Sequence, residues 1–120
     1  NAEEETESLL KSLKRFSDKS FEGEVEQISN PEVSAKNKLK VIRSFRNRPL
    51  HPAVNEIIAA FETITEPDLQ IALIETMGWF NMSYKRNEIA DYFFSVWENK
   101  NYEEAVRNEA LKTYKRLKGL

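Results

Sequence analysis

TEPDLQIALIETMGWF, residues 65–80, opens with a hydroxyl residue, a proline and an acid, and then places apolar residues at helical spacing. SNPEVSAKNKLKVIRSF, residues 29–45, opens in a similar way 36 residues earlier, and residues 101–104 repeat the cap spacing 36 residues later. In each opening the first side chain can accept a hydrogen bond from an unpaired amide, and the acid three residues on complements the helix dipole. We therefore predict a helical repeat of about 36 residues, with helix starts at Ser29, Thr65 and Asn101.

The apolar positions of the chain support this repeat. LQIALIETMGWF (69–80) aligned on VRNEALKTYKRL (106–117) places Leu69, Leu73, Met77 and Phe80 opposite Val106, Ala110, Tyr114 and Leu117. The preceding segments, NEIIAAF (55–61) and NEIADYF (87–93), also match, whereas residues 33–45 align only after a shift of one position. Strand and hairpin signals are essentially missing. We predict helices at 4–18, 20–28, 30–46, 53–64, 67–80, 84–99 and 102–118.

Bulk composition predicts one folded domain, over residues 3–120. The chain has 120 residues, of which 40% are hydrophobic and 32% charged, and a chain of this size can bury a substantial core. It has no cysteine, which excludes disulfides, thiol catalysis and cysteine metal sites. No apolar run approaches the ~18 residues of a membrane-spanning helix. We expect a soluble protein without membrane insertion, either cytoplasmic or exported after removal of an N-terminal signal, and the sequence does not identify the compartment.

Residues 53–118 resemble the HEAT repeat family, especially its short bacterial form. VRNEALKTYKRL follows the second-helix pattern of that family, and DLQIALIETMGWF follows it with Gln70 in place of arginine. The resemblance implies an all-α, right-handed α-α superhelix of about three helical pairs, 20–46, 53–80 and 84–118, plus the N-terminal helix 4–18. It also implies that the second helices line a concave face and that Arg107 ties one repeat to the next, with Asp68 as its partner. It implies no activity.

A basic segment within the predicted helix 30–46 is the first candidate binding site. Residues 33–55 hold six basic residues and no acid, and Lys36, Lys40 and Arg43 share one helix face through offsets of four and three. Arg46 and Arg48 extend the segment. It is either a cationic strip for an acidic peptide or a phosphate backbone, or a solvated face that balances the acidic N-terminal region.

Two further features have both a functional and a structural interpretation. Trp79 and Phe94 lie one step off the apolar stripes, so they either contact a partner or pack between repeats. We take Trp79, with the three basic residues of the strip, as a candidate partner contact. The basic residues of the last turn, Lys112, Lys115, Arg116 and Lys118, are explained by complementation of the helix dipole.

No set of residues indicates catalysis. His51 is the only histidine and lies in a predicted loop, the acidic pairs lie at helix starts, and a glycine-rich phosphate loop is missing. We expect no cofactor and no metal. The function we predict is a non-enzymatic scaffold whose concave face binds a protein or an acidic peptide. The alternatives are a DNA-binding module, which an isoelectric point near 5.6 disfavours, and a purely structural segment of a larger solenoid.

Overall fold

The computed structural model of the chain describes residues 23–47 and 51–120, and within those ranges all regular structure is helical. Residues 23–29 are helical and are called α1, and a 3₁₀ turn, His51–Ala53, precedes the helix that begins at Val54. The other helices are α2 (Ala35–Asn47), α3 (Val54–Thr63), α4 (Pro67–Met77), α5 (Arg86–Glu98) and α6 (Glu104–Lys118). The all-α prediction is thus confirmed for the described residues, while the predicted helix 4–18 and Arg48 lie outside them.

The predicted start of the helix at residues 30–46 is wrong. Helix α2 begins at Ala35, and the Ser34 hydroxyl oxygen accepts a hydrogen bond from the Asn37 N–H at 3.2 Å, which is the capping role predicted for Ser29. The Asn30 carboxamide oxygen instead accepts from the Glu32 N–H at 2.9 Å and forms a turn. Asparagine favours such turns, and the proline that follows disfavours helical backbone at residue 30. The capping residue therefore lies five positions after the predicted one, at Ser34 and not at Ser29.

Two other predicted caps also fail, although their helices exist. The residues that cap α4 and α6 are Glu66 and Glu103, and neither makes a side-chain capping hydrogen bond. Pro67 occupies the first turn of α4, where its missing N–H costs little. These helices therefore owe their positions to apolar spacing and packing, and not to the capping signals at Thr65 and Asn101.

The second helices of the three predicted units lie side by side. Helix α2 contacts α4, α4 contacts α6, and α5 contacts α6. The Thr113 hydroxyl of α6 donates a buried hydrogen bond to the Ile74 carbonyl oxygen of α4 at 3.2 Å. Helices α2, α4 and α6 therefore form one layer, in sequence order.

Helices α3 and α5 meet through an aromatic core centred on Phe61. The Phe61 ring is fully buried, and its centroid lies 5.7 Å from that of Phe93 and 5.9 Å from that of Tyr102. The first contact is edge-on and the second is stacked, the two arrangements that aromatic pairs prefer. Phe61 thus joins α3, α5 and the loop before α6.

The core contains the apolar positions that the repeat alignment identified. Seven of the eight aligned anchors are buried, and the eighth, Tyr114, packs partly buried against the core. Gln70 is also buried, and its side-chain amide donates a hydrogen bond to the Ile64 carbonyl oxygen at 2.8 Å. Gln70, which stands where the HEAT pattern has arginine, therefore ties the first turn of α4 to the end of the preceding helix.

Among the described residues, no helix is both long enough and apolar enough to cross a membrane.

Candidate interaction surface

The basic strip, Lys36, Lys40 and Arg43, lies on the solvent side of α2. All three residues are exposed, while Ile42 and Phe45 of the same helix are buried. Offsets of four and three place the strip on one helix face, and the apolar residues turn the opposite face to the core. The strip therefore presents three cations to solvent.

A second cluster lies where the carboxyl ends of α2, α4 and α6 meet, and we call Arg46, Trp79 and Arg116 the Arg-Trp-Arg cluster. The guanidinium carbon of Arg46 lies 4.4 Å from the Trp79 ring centroid, and that of Arg116 lies 5.1 Å from it. Both distances are within the range of cation–π attraction. Trp79 remains 42% exposed. The cluster thus joins α2, α6 and the turn after α4, and it leaves part of Trp79 open to solvent.

Sequence reasoning named Trp79 but missed this arrangement. The sequence indicated Arg46 only as an extension of the basic strip, and it explained Arg116 by complementation of the helix dipole. A signal was present, because the alignment of 69–80 on 106–117 places Trp79 opposite Arg116. Equivalent positions in adjacent repeat units are expected to lie side by side.

Gly78 lies at the end of α4, beside Thr113 and Arg116 of α6. A Cβ atom at this position would lie 3.1 Å from the Glu75 carbonyl oxygen, 3.4 Å from the Thr113 hydroxyl oxygen and 3.5 Å from an Arg116 guanidinium nitrogen. The first of these distances is tighter than ordinary van der Waals contact, whereas the two distances to α6 are ordinary contacts. A Cβ atom at this position would therefore press on the carbonyl oxygen of Glu75 in α4 itself.

The charges on this side of the molecule are mixed. Asp68 and Glu75 are exposed and seven residues apart on α4, so they share a face between α2 and α6. On α6, Lys112 and Lys115 are exposed, whereas Lys118 forms an ion pair with Asp91 of α5, with 3.1 Å between the charged atoms. The surface is therefore basic at α2 and at the end of α6, and acidic along α4.

Arg107 does not make the contact with Asp68 that the resemblance implied. Its Nε atom donates a hydrogen bond to the Trp97 carbonyl oxygen at 2.8 Å. Within the described part of the chain no ion pair joins Arg107 to Asp68. The guanidinium instead ties α6 to the end of α5, inside one predicted helical pair. The carbonyls at a helix end lack intrahelical partners, which makes them natural acceptors for it.

The remaining aromatic candidates divide into packed and exposed residues. Phe94 is half-buried, with its ring centroid 5.2 Å from that of Trp97 and 5.0 Å from that of Tyr114. These contacts favour the packing interpretation of Phe94. Met82 and Tyr84, in the connection between α4 and α5, are exposed to 88% and 77%. Sequence reasoning did not single out Met82, because no sequence pattern marks this residue as exposed.

Tyr92 provides a test of the packing between α3 and α5. Its hydroxyl donates a hydrogen bond to a Glu62 carboxylate oxygen at 3.0 Å. Burial, together with this bond, raises the pKa of Tyr92 well above its ordinary value, and burial also raises the pKa of Tyr102.

We expect the stability advantage of the wild type over Tyr92→Phe to shrink as the pH rises above about 10. In the unfolded chain the Tyr92 hydroxyl titrates near its ordinary pKa of about 10. Above that pH the unfolded state loses a proton that the folded state keeps, so the free energy of unfolding falls. Urea denaturation of both proteins at several alkaline pH values measures the difference between their free energies of unfolding. A difference that stays constant would contradict the assigned burial of Tyr92.

The described residues hold no cluster of three or more histidine, cysteine, aspartate or glutamate side chains that could bind a metal ion. Comparison of the chain with protein-family models, with curated proteins and with solved structures finds no match.

Proposed function

We propose that the chain is a non-enzymatic helical-repeat module that binds a partner protein through the surface formed by α2, α4 and α6. The Arg-Trp-Arg cluster is the observation that supports this proposal most strongly. Tryptophan and arginine are the side chains most enriched among the residues that dominate binding energy at protein interfaces. Here they come from α2, from α6 and from the turn that follows α4, and they lie beside the basic strip of α2.

The helix order is consistent with a short solenoid of the HEAT type. The second helices of the three predicted units pack in sequence order, as stacked repeats would. In a right-handed α-α superhelix these helices line the concave face, which repeat proteins use for extended partners. We propose this arrangement as the scaffold of the surface.

Charge favours an acidic protein or peptide as the partner. Lys36, Lys40, Arg43 and Arg46 offer four exposed cations on α2. Such a strip raises the local concentration of an acidic ligand and its association rate. A nucleic acid is the less favoured ligand, because Asp68 and Glu75 interrupt the basic surface at α4.

Titration with two fluorescent anions tests the proposal: an oligo-glutamate peptide and a single-stranded DNA oligonucleotide of equal charge. We expect the peptide to bind more tightly at matched salt. Tighter binding of the oligonucleotide, with an affinity that falls steeply between about 50 and about 200 mM salt, would instead indicate a phosphate-binding module. Binding of neither anion would favour a structural segment.

A further inference from the structure

The guanidiniums of the Arg-Trp-Arg cluster have no acidic partner within the described ranges. The ion pair found there joins Lys118 to Asp91, and neither Arg46 nor Arg116 pairs with a carboxylate of residues 23–47 or 51–120. Their contact is with the Trp79 ring, at 4.4 and 5.1 Å. As far as the described residues are concerned, both arginines can therefore bind an anion.

A guanidinium held over an aromatic ring by cation–π attraction still has N–H donors that can bind a further ligand. Those donors match the two oxygens of a carboxylate and can bind them in pairs. Contact with the ring also restricts the side chain, so less conformational entropy is lost when a ligand binds. Arg46 and Arg116 thus provide two binding forks beside one indole.

The spacing of the two forks limits what can bind both. The distance between the two guanidinium carbons cannot exceed the sum of their distances to the ring centroid. In an extended peptide, side chains two residues apart point to the same side and are separated by roughly 7 Å along the backbone. Acidic side chains at that spacing can reach both forks, with the backbone between them passing the exposed part of Trp79.

We propose that the Arg-Trp-Arg cluster binds an extended acidic segment of a partner protein in which two carboxylates are separated by one residue, each paired with one arginine. This inference rests on the proposed function and specifies the motif that the surface recognises. Charge complementarity identifies the occupant. The acidic face of α4, with Asp68 and Glu75, repels a continuous chain of phosphates but leaves the two arginines at its carboxyl end accessible to a spaced pair of carboxylates.

Trp79 itself can report the binding. Trp97→Phe removes the other tryptophan, which is half-buried against Phe94, and leaves Trp79 as the sole indole. The probes are three capped peptides of otherwise identical Gly-Ser sequence that carry Glu-Ala-Glu, Glu-Glu-Ala or Gln-Ala-Gln. We expect saturable changes in Trp79 emission, with Glu-Ala-Glu binding several-fold more tightly than Glu-Glu-Ala and Gln-Ala-Gln not binding.

Substitutions in the same background assign the contacts. Arg46→Gln and Arg116→Gln should each weaken Glu-Ala-Glu binding about tenfold, since each removes one charge-assisted pair. Lys100→Gln is the matched control, because Lys100 is exposed and precedes the opposite end of α6, about 20 Å along the helix from Arg116. Its affinity for the peptide should equal that of the parent.

The outcomes separate this inference from the proposed function. Binding of Glu-Ala-Glu that neither arginine substitution weakens, or equal affinity for the two acidic peptides, would overturn the assigned motif while a binding surface for acidic peptides remains. Failure of both two-charge peptides to bind, while oligo-glutamate binds, would likewise overturn only the motif. Failure of oligo-glutamate as well would overturn both.

Discussion

Replacement of Phe61 by alanine is expected to lower the free energy of unfolding by about 3–5 kcal/mol. The ring is fully buried and contacts aromatic rings of α5 and of the loop before α6. Its loss removes buried apolar area and leaves a cavity that these rings cannot fill unless the helices shift toward it. Domains of this size are stable by only about 5–15 kcal/mol, so the variant should be close to its unfolding limit.

Urea denaturation followed by circular dichroism measures the effect. Tyr84→Ala is the control, because it also removes an aromatic ring but from a side chain that is 77% exposed. Its effect should stay within about 0.5 kcal/mol. If Phe61→Ala lost no more stability than Tyr84→Ala, the aromatic core between α3 and α5 would be contradicted.

The second large effect concerns binding. Lys36→Glu combined with Arg43→Glu should abolish capture of a partner protein from nuclease-treated lysate. The double variant replaces two cations of the strip by anions, so attraction becomes repulsion, and like charges that face each other across an interface cost several kcal/mol. Both side chains are exposed, so the fold should lose less than about 1 kcal/mol.

The matched control is Arg86→Glu with Lys100→Glu, which makes the same charge change at exposed residues of the α5–α6 pair. Arg86 is the first residue of α5, where a carboxylate is favourable to the helix dipole. Capture should survive in this control. Equal retention by both double variants would show that net charge, and not the strip, determines capture.

Helical periodicity predicted most of the helices, but the caps were wrong for a physical reason. Apolar residues at offsets of three and four can be buried together only in a helix. The spacing of residues such as Leu73 and Val106 therefore predicted their helices. A cap such as Thr65 has a weaker signal, since one hydrogen bond contributes only about 1 kcal/mol and local turns compete for the same groups. Asn30 shows that competition directly, with its side chain bonded to the Glu32 amide.

Only part of the candidate surface could be predicted. The exposure of Lys36, Lys40 and Arg43 follows from helix geometry within one segment. The contacts of Trp79 with Arg46 and Arg116 depend on how three helices pack. Only the repeat alignment, which places Trp79 opposite Arg116, carried a signal of one of them. The partner of Arg107 was missed because a backbone carbonyl, here that of Trp97, has no signature in the sequence.

The most direct test of the central claim is a nuclear magnetic resonance titration of the isotope-labelled protein with oligo-glutamate, following backbone amide and indole N–H signals. Our account predicts that the Trp79 indole signal and the amides around Arg43, Arg46 and Arg116 shift together and saturate, while the Trp97 indole signal stays in place. Shifts confined to other parts of the chain, or no saturable shift at the Trp79 indole, would contradict it.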